Sequence, residues 1–557
     1  MKQFFQKHWL PLLSLIIFGL IGSKALLHQG FYTSHDGEHQ LVRQYIFDRA
    51  VNNGHFPPRV DRQLMNGLGY PLFTFTYQFP FWIGEVLVKF GFSIPDSIKG
   101  VFVLTYLASG ITMYLFAEER FGKLASFVAG FLYVWAPYRF LTMLVRAQLG
   151  EHVALMFIPL IFWSLNKINH TRAIIGCLSI AGLILSHSMV TQMAALPIGL
   201  FFVFRLLEEK KKLVLLKHAL ITAFLGVALS VFYLIPATVY RGNIVGLNRT
   251  FYAEHFVTLR QLIYSPWGYT FSVFGTENDG MSFQIGIAQW LAVTLAIIII
   301  LIAVILRRKP KNLLLIPISL FCSFTIAIFL MTAASSRVWE KGVSSFLIVD
   351  IPWRFLTVTT FSAAVLAAFT LKHLNSKLLK ISLTLFLMGI AIYTNRNHLR
   401  VNKYIDIDPQ FFTHYKGTSN SYDEYQPVGT SEALRKIENL PPVQITEGEG
   451  ELTLVENLPQ KLSVKIENQA DVIVRLNTGY FPGWQLLVDN LPQDIKRVLS
   501  DNVPQIKLSS GNHTLNLWYE PTLVMKFANI LSLVAVAAIT RHPIKYLIKR
   551  YSSRRLL

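Results

Sequence analysis

The chain has 557 residues, of which 52% are hydrophobic and only 15% charged, with a mean hydropathy of +0.42. A soluble globular protein carries charge on about a quarter of its residues, so this composition excludes an ordinary soluble protein and implies a multi-pass membrane protein. The formal net charge of +20 does not imply a nucleic-acid partner, because the basic residues sit in short loops between apolar runs. Cys177 and Cys322 both lie inside apolar segments, so no disulfide is expected and they say nothing about redox compartment.

A membrane-crossing helix needs about 20 mostly apolar residues. The first such run, Trp9–Leu27, follows Lys2 and Lys7, which places the N-terminus on the cytoplasmic side; without a small-residue cleavage site it reads as a span. The stretch FYTSHDGEHQ (31–40) then faces outward and packs Asp36 and Glu38 between His35 and His39. Beyond it, Leu41, Val42, Tyr45, Ile46 and Ala50 recur at helical spacing, predicting a helix that lies on the membrane surface and ends at Gly54 and Pro57-Pro58.

Residues 70–92, YPLFTFTYQFPFWIGEVLVKFGF, are apolar and long enough to cross. Crossing would put Lys210-Lys211-Lys212, Arg307-Arg308-Lys309 and the tail residues Lys549, Arg550, Arg554 and Arg555 outside, against the positive-inside rule. With Pro71, Pro80 and Glu85 inside it, the segment reads as an external interfacial or re-entrant helix. The further spans are Ile98–Phe116, Leu124–Phe140, Val153–Leu165, Ala173–Leu185, Thr191–Phe204, Ala219–Pro236, Ile285–Leu306, Leu313–Met331, Phe355–Leu371, Leu378–Tyr393 and Leu523–Thr540. That makes about 12 transmembrane helices, with both termini cytoplasmic. On this count Lys123, Lys167, Arg172, Arg205, Lys217, Lys311, Lys372, Lys377, Lys380 and Arg541 all fall on the cytoplasmic side. The external loops long enough to build a site are Tyr138–His152, Val239–Gln284 and Ala333–Arg354.

Between the last two spans, Thr394–Pro521 is polar. Its second half alternates apolar and polar residues (LSVKI from Leu462, VIVRL from Val472, WQLLV from Trp484, HTLNLWY from His513) with Gly and Pro between the runs. That pattern predicts a small antiparallel β-sandwich with Trp484 in its core. The expected organisation is a transmembrane domain over 1–393 with an external catalytic loop 28–97, an external mainly-β domain over 394–521, and a final span with a basic cytoplasmic tail over 522–557.

The loop PYRFLTMLVRAQLGEH places Arg139, Arg146, Glu151 and His152 at one external membrane edge, and DIPWRFL places Asp350 and Arg354 at another. Ionisable groups held at a bilayer are costly and tend to be functional. Carboxylates there serve to deprotonate a nucleophile or to bind a metal, and arginine grips phosphate bidentately. Together these are the groups needed to move a group from a lipid-phosphate carrier to an external acceptor, the arginines stabilising the departing phosphate. Each also has a structural reading. Asp36 caps the helix that follows it, with Glu38 in the first turn. His35 and His39 hydrogen-bond neighbours rather than ligate a metal. Glu151 pairs with Arg146, and Arg354 anchors at the interface beside Trp353. Tyr77, Trp82, Tyr264, Trp267 and Trp339 read as aromatic-belt residues or as the lining of a sugar site.

An acid just after the first span, an external amphipathic segment, the YPLF segment and a later acid after P-Y-R and G-E resemble the C-type glycosyltransferase (GT-C) architecture. That group includes oligosaccharyltransferases, protein mannosyltransferases and the aminoarabinose transferase of lipid A. More closely, SHDGEH, GHFPPR, GYPLFTF, PYRF with RAQLGE, IPWRFL and YFPGW with GNHTLNLWYEP resemble bacterial membrane proteins labelled 6-pyruvoyl-tetrahydropterin-synthase-related and their YfhO-like relatives. The soluble histidine cluster that a pterin synthase needs is not seen.

The GT-C likeness implies an α-helical polytopic protein of the bacterial cytoplasmic membrane, with external interfacial helices, an external β-sandwich and an external active site. It implies an inverting transferase that moves a sugar from a polyprenyl-phosphate-linked donor to an external glycan, lipid or protein acceptor. Asp36 matches the first-loop acid and Glu151 the second, with Glu38 beside them in the catalytic set. Arg354, Arg139 and Arg146 would hold the donor phosphate, with His35, His39 and His152 as polar neighbours. Oligosaccharyltransferases hold a divalent cation with such acids, but this chain has one acid where they have a paired-acid motif, which leaves the metal open. Membrane lipids are the remaining expected partners, and no nucleic acid is. The alternative is a non-catalytic transporter or assembly factor for lipid-linked glycans, which would keep polar groups along the spans rather than at their external ends.

Overall fold

The computed structural model describes residues 2–246, 251–272, 280–305, 314–345 and 349–552. Arg307-Arg308-Lys309, Lys311, Arg554 and Arg555 lie outside the described residues, as do parts of the Val239–Gln284 and Ala333–Arg354 loops and Leu313 at the start of an expected span.

The expected spans fall on helices, although Trp9–Leu27 runs past the helix end at Gly22 and Leu124–Phe140 straddles a break between Val134 and Pro137. Among the described residues, eight helices are long and apolar enough to cross a bilayer, or up to ten if the bent pairs Lys123–Val134 with Pro137–Val145 and Leu315–Met331 with Ala333–Gly342 each count as one span. Gln6–Gly22 and His170–Ser186, the other expected spans, are apolar but shorter. At 1.5 Å per residue such helices reach about 25 Å, against a hydrocarbon core of about 30 Å. The chain is a polytopic membrane protein with a β-rich C-terminal region. Residues 70–92 form two short helices, Leu72–Phe75 and the 11-residue Phe79–Lys89. The longer one spans about 16 Å, too little to cross.

Contacts divide the chain into two compact units: Met1–Gly37 with Pro95–Leu229 and Asn248–Asp406, and Glu38–Ile94 with Ser230–Leu247 and Ile407–Leu557. In the first unit the helical window within Pro352–His373 is 94% buried. Its Ala363, Ala364, Ala367 and Ala368 let neighbouring backbones approach closely, and its Thr357, Thr359 and Thr360 are buried with them. Several charged residues read as topology signals also tie helix ends together. Arg172 pairs with Glu119, as does Lys167 at 3.2 Å, while Arg205 pairs with Glu209 at 2.7 Å; Arg120, outside that set, meets Glu208 at 3.3 Å.

In the second unit the helix Gly37–Asn52 carries the predicted apolar stripe, but with a different role. Leu41, Val42, Ile46 and Ala50 are buried by protein, and Phe47 packs on Phe73 at 5.1 Å and Trp82 at 4.7 Å. The stripe is a core face and not a surface for lipid.

The β-region is a sandwich. One sheet runs in the order Val443–Glu447, Val472–Leu476, Val503–Leu508, Leu499–Ser500. The other runs Glu451–Leu458, Lys461–Asn468, Gly511–Tyr519, Trp484–Val488, Leu491–Gln493. All pairs are antiparallel. Val472, Val474 and Leu476 from one face meet Leu462, Val464, Ile466, Leu515 and Leu517 from the other, with Trp484 in the same core. Asp489-Asn490 and Asp501-Asn502 have positive φ at both residues (51° and 65°, 52° and 62°) and close two tight hairpins, as that turn type requires.

Candidate active site

Pro137 opens a single helical turn, Pro137–Phe140, which widens into a π turn over Leu141–Val145. Ala147 then takes a left-handed backbone (φ 49°), and the chain enters the helix Leu149–Asn166. Wide turns and non-glycine residues at positive φ concentrate at functional sites. The Val145 and Arg146 carbonyls accept the backbone N–H groups of His35 and Asp36 at 3.0 Å each. Gln148 donates its side-chain amide to the Asp36 carboxylate. The loop carrying the second acid therefore holds the first. On the other side, Phe31–Tyr32 pairs with Tyr404–Ile405, and the Tyr32 hydroxyl donates to the Met143 carbonyl at 2.6 Å.

Glu151 stands in the first turn of its helix, where the dipole favours negative charge, and is fully buried. One carboxylate oxygen accepts from the Tyr138 hydroxyl and from the Thr357 hydroxyl at 3.2 Å. The other accepts from Arg146 at 3.0 Å and faces Arg354 at 3.7 Å. Arg146 also lies over the Trp353 ring, 4.6 Å from its centroid. Arg354 is placed by the short helix Pro352–Phe355 and comes within 3.2 Å of Asp350. Neither Arg354 contact has hydrogen-bond geometry: among the described residues, Arg354 Nε and Asp350 Oδ1 are buried without hydrogen-bond partners. Arg146 is hydrogen-bonded into place, whereas among the described residues Arg354 has charged and aromatic neighbours but no side-chain hydrogen bond. Asp36 lies within electrostatic reach of Arg354.

Arg139 is sealed. Its guanidinium donates to the Ser109 hydroxyl at 2.9 Å, sits 5.4 and 5.6 Å from the Tyr106 and Tyr133 rings, and has His152 Nε2 at 3.5 Å. His35 Nε2 lies 3.2 Å from the Tyr269 carbonyl and its ring 4.4 Å from that of Phe271. Burial, with the Arg146 guanidinium, pushes the His35 imidazole down to about 4. Glu38 is exposed, in the first turn of Gly37–Asn52, and belongs to the second unit, as does His39, whose imidazole burial and Arg43 push down to about 4.

The first unit thus brings Asp36, Arg146, Glu151 and Arg354 together, with Arg139 and His152 on the same loop and helix. Sequence reasoning missed Tyr138, Gln148 and Thr357. Tyr138 and Gln148 stand inside PYRF and RAQLGE, where a hydrogen-bonding side chain next to a charged one was the available signal. Thr357 lies in an apolar run and gave none.

Among the described residues, no group of three or more His, Cys, Asp or Glu side chains is placed to hold a metal ion. The Glu151 oxygens are engaged by Tyr138, Thr357 and Arg146. The charge of the Glu151 carboxylate is met by guanidinium groups, Arg146 at 3.0 Å and Arg354 at 3.7 Å.

No protein-family model matches the chain. An uncharacterized protein of Lactococcus lactis subsp. cremoris (strain MG1363) is 26% identical over 254 residues, covering 42% of this chain and 40% of the relative. Among solved structures, the mycobacterial arabinofuranosyltransferase AftD is similar at 11% identity and a TM-score of 0.47, over 73% of this chain and 28% of that one. The Archaeoglobus fulgidus oligosaccharyltransferase tethered to an acceptor peptide is similar at 15% identity and a TM-score of 0.42, over 74% and 57%. ArnT from Cupriavidus metallidurans bound to undecaprenyl phosphate is similar at 15% identity and a TM-score of 0.39, over 69% and 63%. At these identities and scores the likenesses by themselves assign neither fold nor activity to this chain.

Proposed function

We propose that the chain is an inverting membrane glycosyltransferase of the GT-C kind, which moves a sugar from a polyprenyl-phosphate donor to a hydroxyl of an external glycan or lipid acceptor. The observation that carries this reading is the state of Arg354, a buried guanidinium facing Glu151 and Asp350 with no side-chain hydrogen bond among the described residues, near Asp36. A phosphate arriving there gains charge-assisted hydrogen bonds without displacing existing ones.

Glu151 is engaged at both oxygens and acts as a positioning residue, fixing Arg146 and drawing in Arg354. Arg139, sealed between two tyrosines, supports the loop from within. Asp36 takes the proton of the acceptor hydroxyl as that oxygen bonds to the anomeric carbon of the sugar. On the opposite face the bond from that carbon to the phosphate oxygen breaks, and the electron pair leaves on the phosphate, held by Arg354 and Arg146. A single displacement inverts the carbon. The distribution of basic residues between spans supports an external site in the bacterial cytoplasmic membrane with both termini inside.

The test uses the full chain in lipid nanodiscs with radiolabelled polyprenyl-phosphate sugars and a panel of glycan and lipid acceptors. Asp36→Asn is expected to lower transfer by about 10²–10⁴-fold while donor binding persists, and Arg354→Gln to weaken donor binding itself. Full activity in Asp36→Asn would sink the assignment of the base. Movement of intact lipid-linked glycan across the bilayer without covalent transfer would replace the enzyme by a transporter.

A further inference from the structure

The second unit contains a cleft of about 420 Å³ whose walls come from three distant stretches: Arg49 with Arg62–Gly67, Thr413–Lys416 with Asn439, and the strand end Asn457–Pro459. Its size suits a small-molecule site, but such sites are mostly apolar, and this lining is dominated by cations and amides with no Asp or Glu among the lining residues. The three cations differ in what they already hold. Arg49 is committed to Asp61, which it grips with Nη2 at 2.5 and 2.7 Å. Lys416 is exposed and donates to Asn439 Oδ1 at 2.6 Å. Arg62 is only 3% exposed, donating from Nε to the Thr478 hydroxyl at 2.9 Å and from Nη1 to Asn457 Oδ1 at 2.6 Å. Its Nη2 has no hydrogen-bond partner among the described residues. Burial, resisted by Asp61 and aided by Arg49, pulls the Arg62 guanidinium down to about 10, as expected of a cation whose charge is incompletely offset.

The amides are half-engaged in the same way. Asn439 and Asn457 use their oxygens on Lys416 and Arg62, and Asn66 uses its nitrogen on the Arg435 and Ile437 carbonyls. Among the described residues the other end of each of these amides has no hydrogen-bond partner. Met65 and Asn66 are held at φ 58° and 57°, followed by Gly67 at 86°. Non-glycine residues in this region persist where the surrounding structure holds them in place. Here the Met65 and Asn66 N–H groups are tied to the Gly417 and Lys416 carbonyls across the cleft wall.

We propose that this cleft binds an anionic saccharide, with its phosphate or carboxylate on Arg62 Nη2 and Lys416 and its hydroxyls on the amides of Asn66, Asn439 and Asn457. Sugar hydroxyls both donate and accept, which is what a row of half-used amides matches, and Tyr415 supplies an aromatic face beside them. The inference stands on the second unit alone and does not depend on whether the first unit transfers a sugar.

The full chain in nanodiscs of zwitterionic lipid is titrated with three fluorescent probes: pentamannose 6-phosphate, trigalacturonate and neutral maltopentaose. At least one anionic probe is expected to bind about tenfold or more tighter than maltopentaose, and the stronger of the two identifies the anion. Lys416→Glu, at an exposed site that leaves the fold intact, is expected to weaken that probe about tenfold. Arg62→Gln is expected to weaken it further, with a lower melting temperature because its hydrogen bonds also hold the loop. Equal binding of maltopentaose, no binding by any probe, indifference to Lys416→Glu, or inorganic phosphate competing as strongly as the saccharides would each overturn the proposal.

Discussion

Arg146 in the first unit and Arg62 in the second are equally buried, each 3% exposed, yet they are satisfied differently. Arg146 has a sealed carboxylate at 3.0 Å and an aromatic face, whereas among the described residues the hydrogen-bond partners of the Arg62 side chain are hydroxyl, amide and carbonyl groups, and the neighbouring Asp61 is gripped by Arg49. Neutral partners fill hydrogen-bond donors without cancelling charge, and an uncompensated buried charge costs several kcal/mol. The paired arginine is therefore fixed in orientation by its carboxylate before any anion arrives, whereas Arg62 keeps a donor and an incompletely offset charge for one. Arg354 stands between these cases, compensated by charge but not hydrogen-bonded.

The sharpest way to break this contrast is Glu151→Gln. The change keeps the shape but removes the carboxylate that holds Arg146 and, with Asp350, faces Arg354. Leaving that charge uncompensated should cost about 3–5 kcal/mol, read as a fall in the unfolding midpoint of the detergent-solubilised chain. A loss below about 1 kcal/mol would mean that the cluster is hydrated and worth no more than a surface pair. Next in size is an effect of pH in the second unit. His55 is buried, neither ring nitrogen has a partner among the described residues, and burial followed by Arg59 pushes its imidazole down to about 4. Above pH 6.5 it is neutral folded and unfolded and contributes nothing to the pH dependence. As pH falls from 6.5 towards 4 the unfolded chain binds the proton first, so stability drops by up to about 3 kcal/mol. His55→Phe should flatten that limb of the stability profile; an unchanged limb would assign it elsewhere.

Much of this architecture was legible from local pattern. Apolar length placed the spans, and two-residue alternation placed Lys461–Asn468, Val472–Leu476, Trp484–Val488 and Gly511–Tyr519. Glu451–Leu458 escaped because it is a mostly exposed edge strand with little apolar alternation. The stripe of Leu41, Val42, Ile46 and Ala50 was legible as a stripe, but periodicity cannot say whether protein or lipid covers it. The pair Arg146–Glu151 was visible because both residues share one loop. Thr357 on Glu151 joins residues 206 apart, and Arg62 with Thr478 joins residues 416 apart. No spacing rule encodes such pairs. The grouping of Glu38–Ile94 with the chain beyond Ile407 was hidden for the same reason.

Removing the unpaired arginine should cost less than removing the carboxylate that holds Arg146. Arg62→Gln loses hydrogen bonds to neutral groups but also removes an uncancelled charge, so a net loss of about 1–3 kcal/mol is expected, and a saturating anion should stabilise the parent chain but not this variant. A loss as large as that of Glu151→Gln would erase the distinction between the two arginines. The smallest effect belongs to a cation that is paired but near the surface. His513 meets Asp489 at 2.7 Å, and that hydrogen bond raises its imidazole above the usual value although burial opposes it. Because the folded form holds the proton more tightly, the pair's contribution is fully present below pH 6.5 and is lost as pH rises through the raised value. Asp489 is well exposed, so this is worth about 0.2–1 kcal/mol. His513→Gln should remove a small fall in stability on the alkaline side of pH 6.5 and leave the acid limb set by His55 unchanged. The two histidines then titrate with opposite sign in one unit, His513 losing stability as pH rises and His55 as it falls.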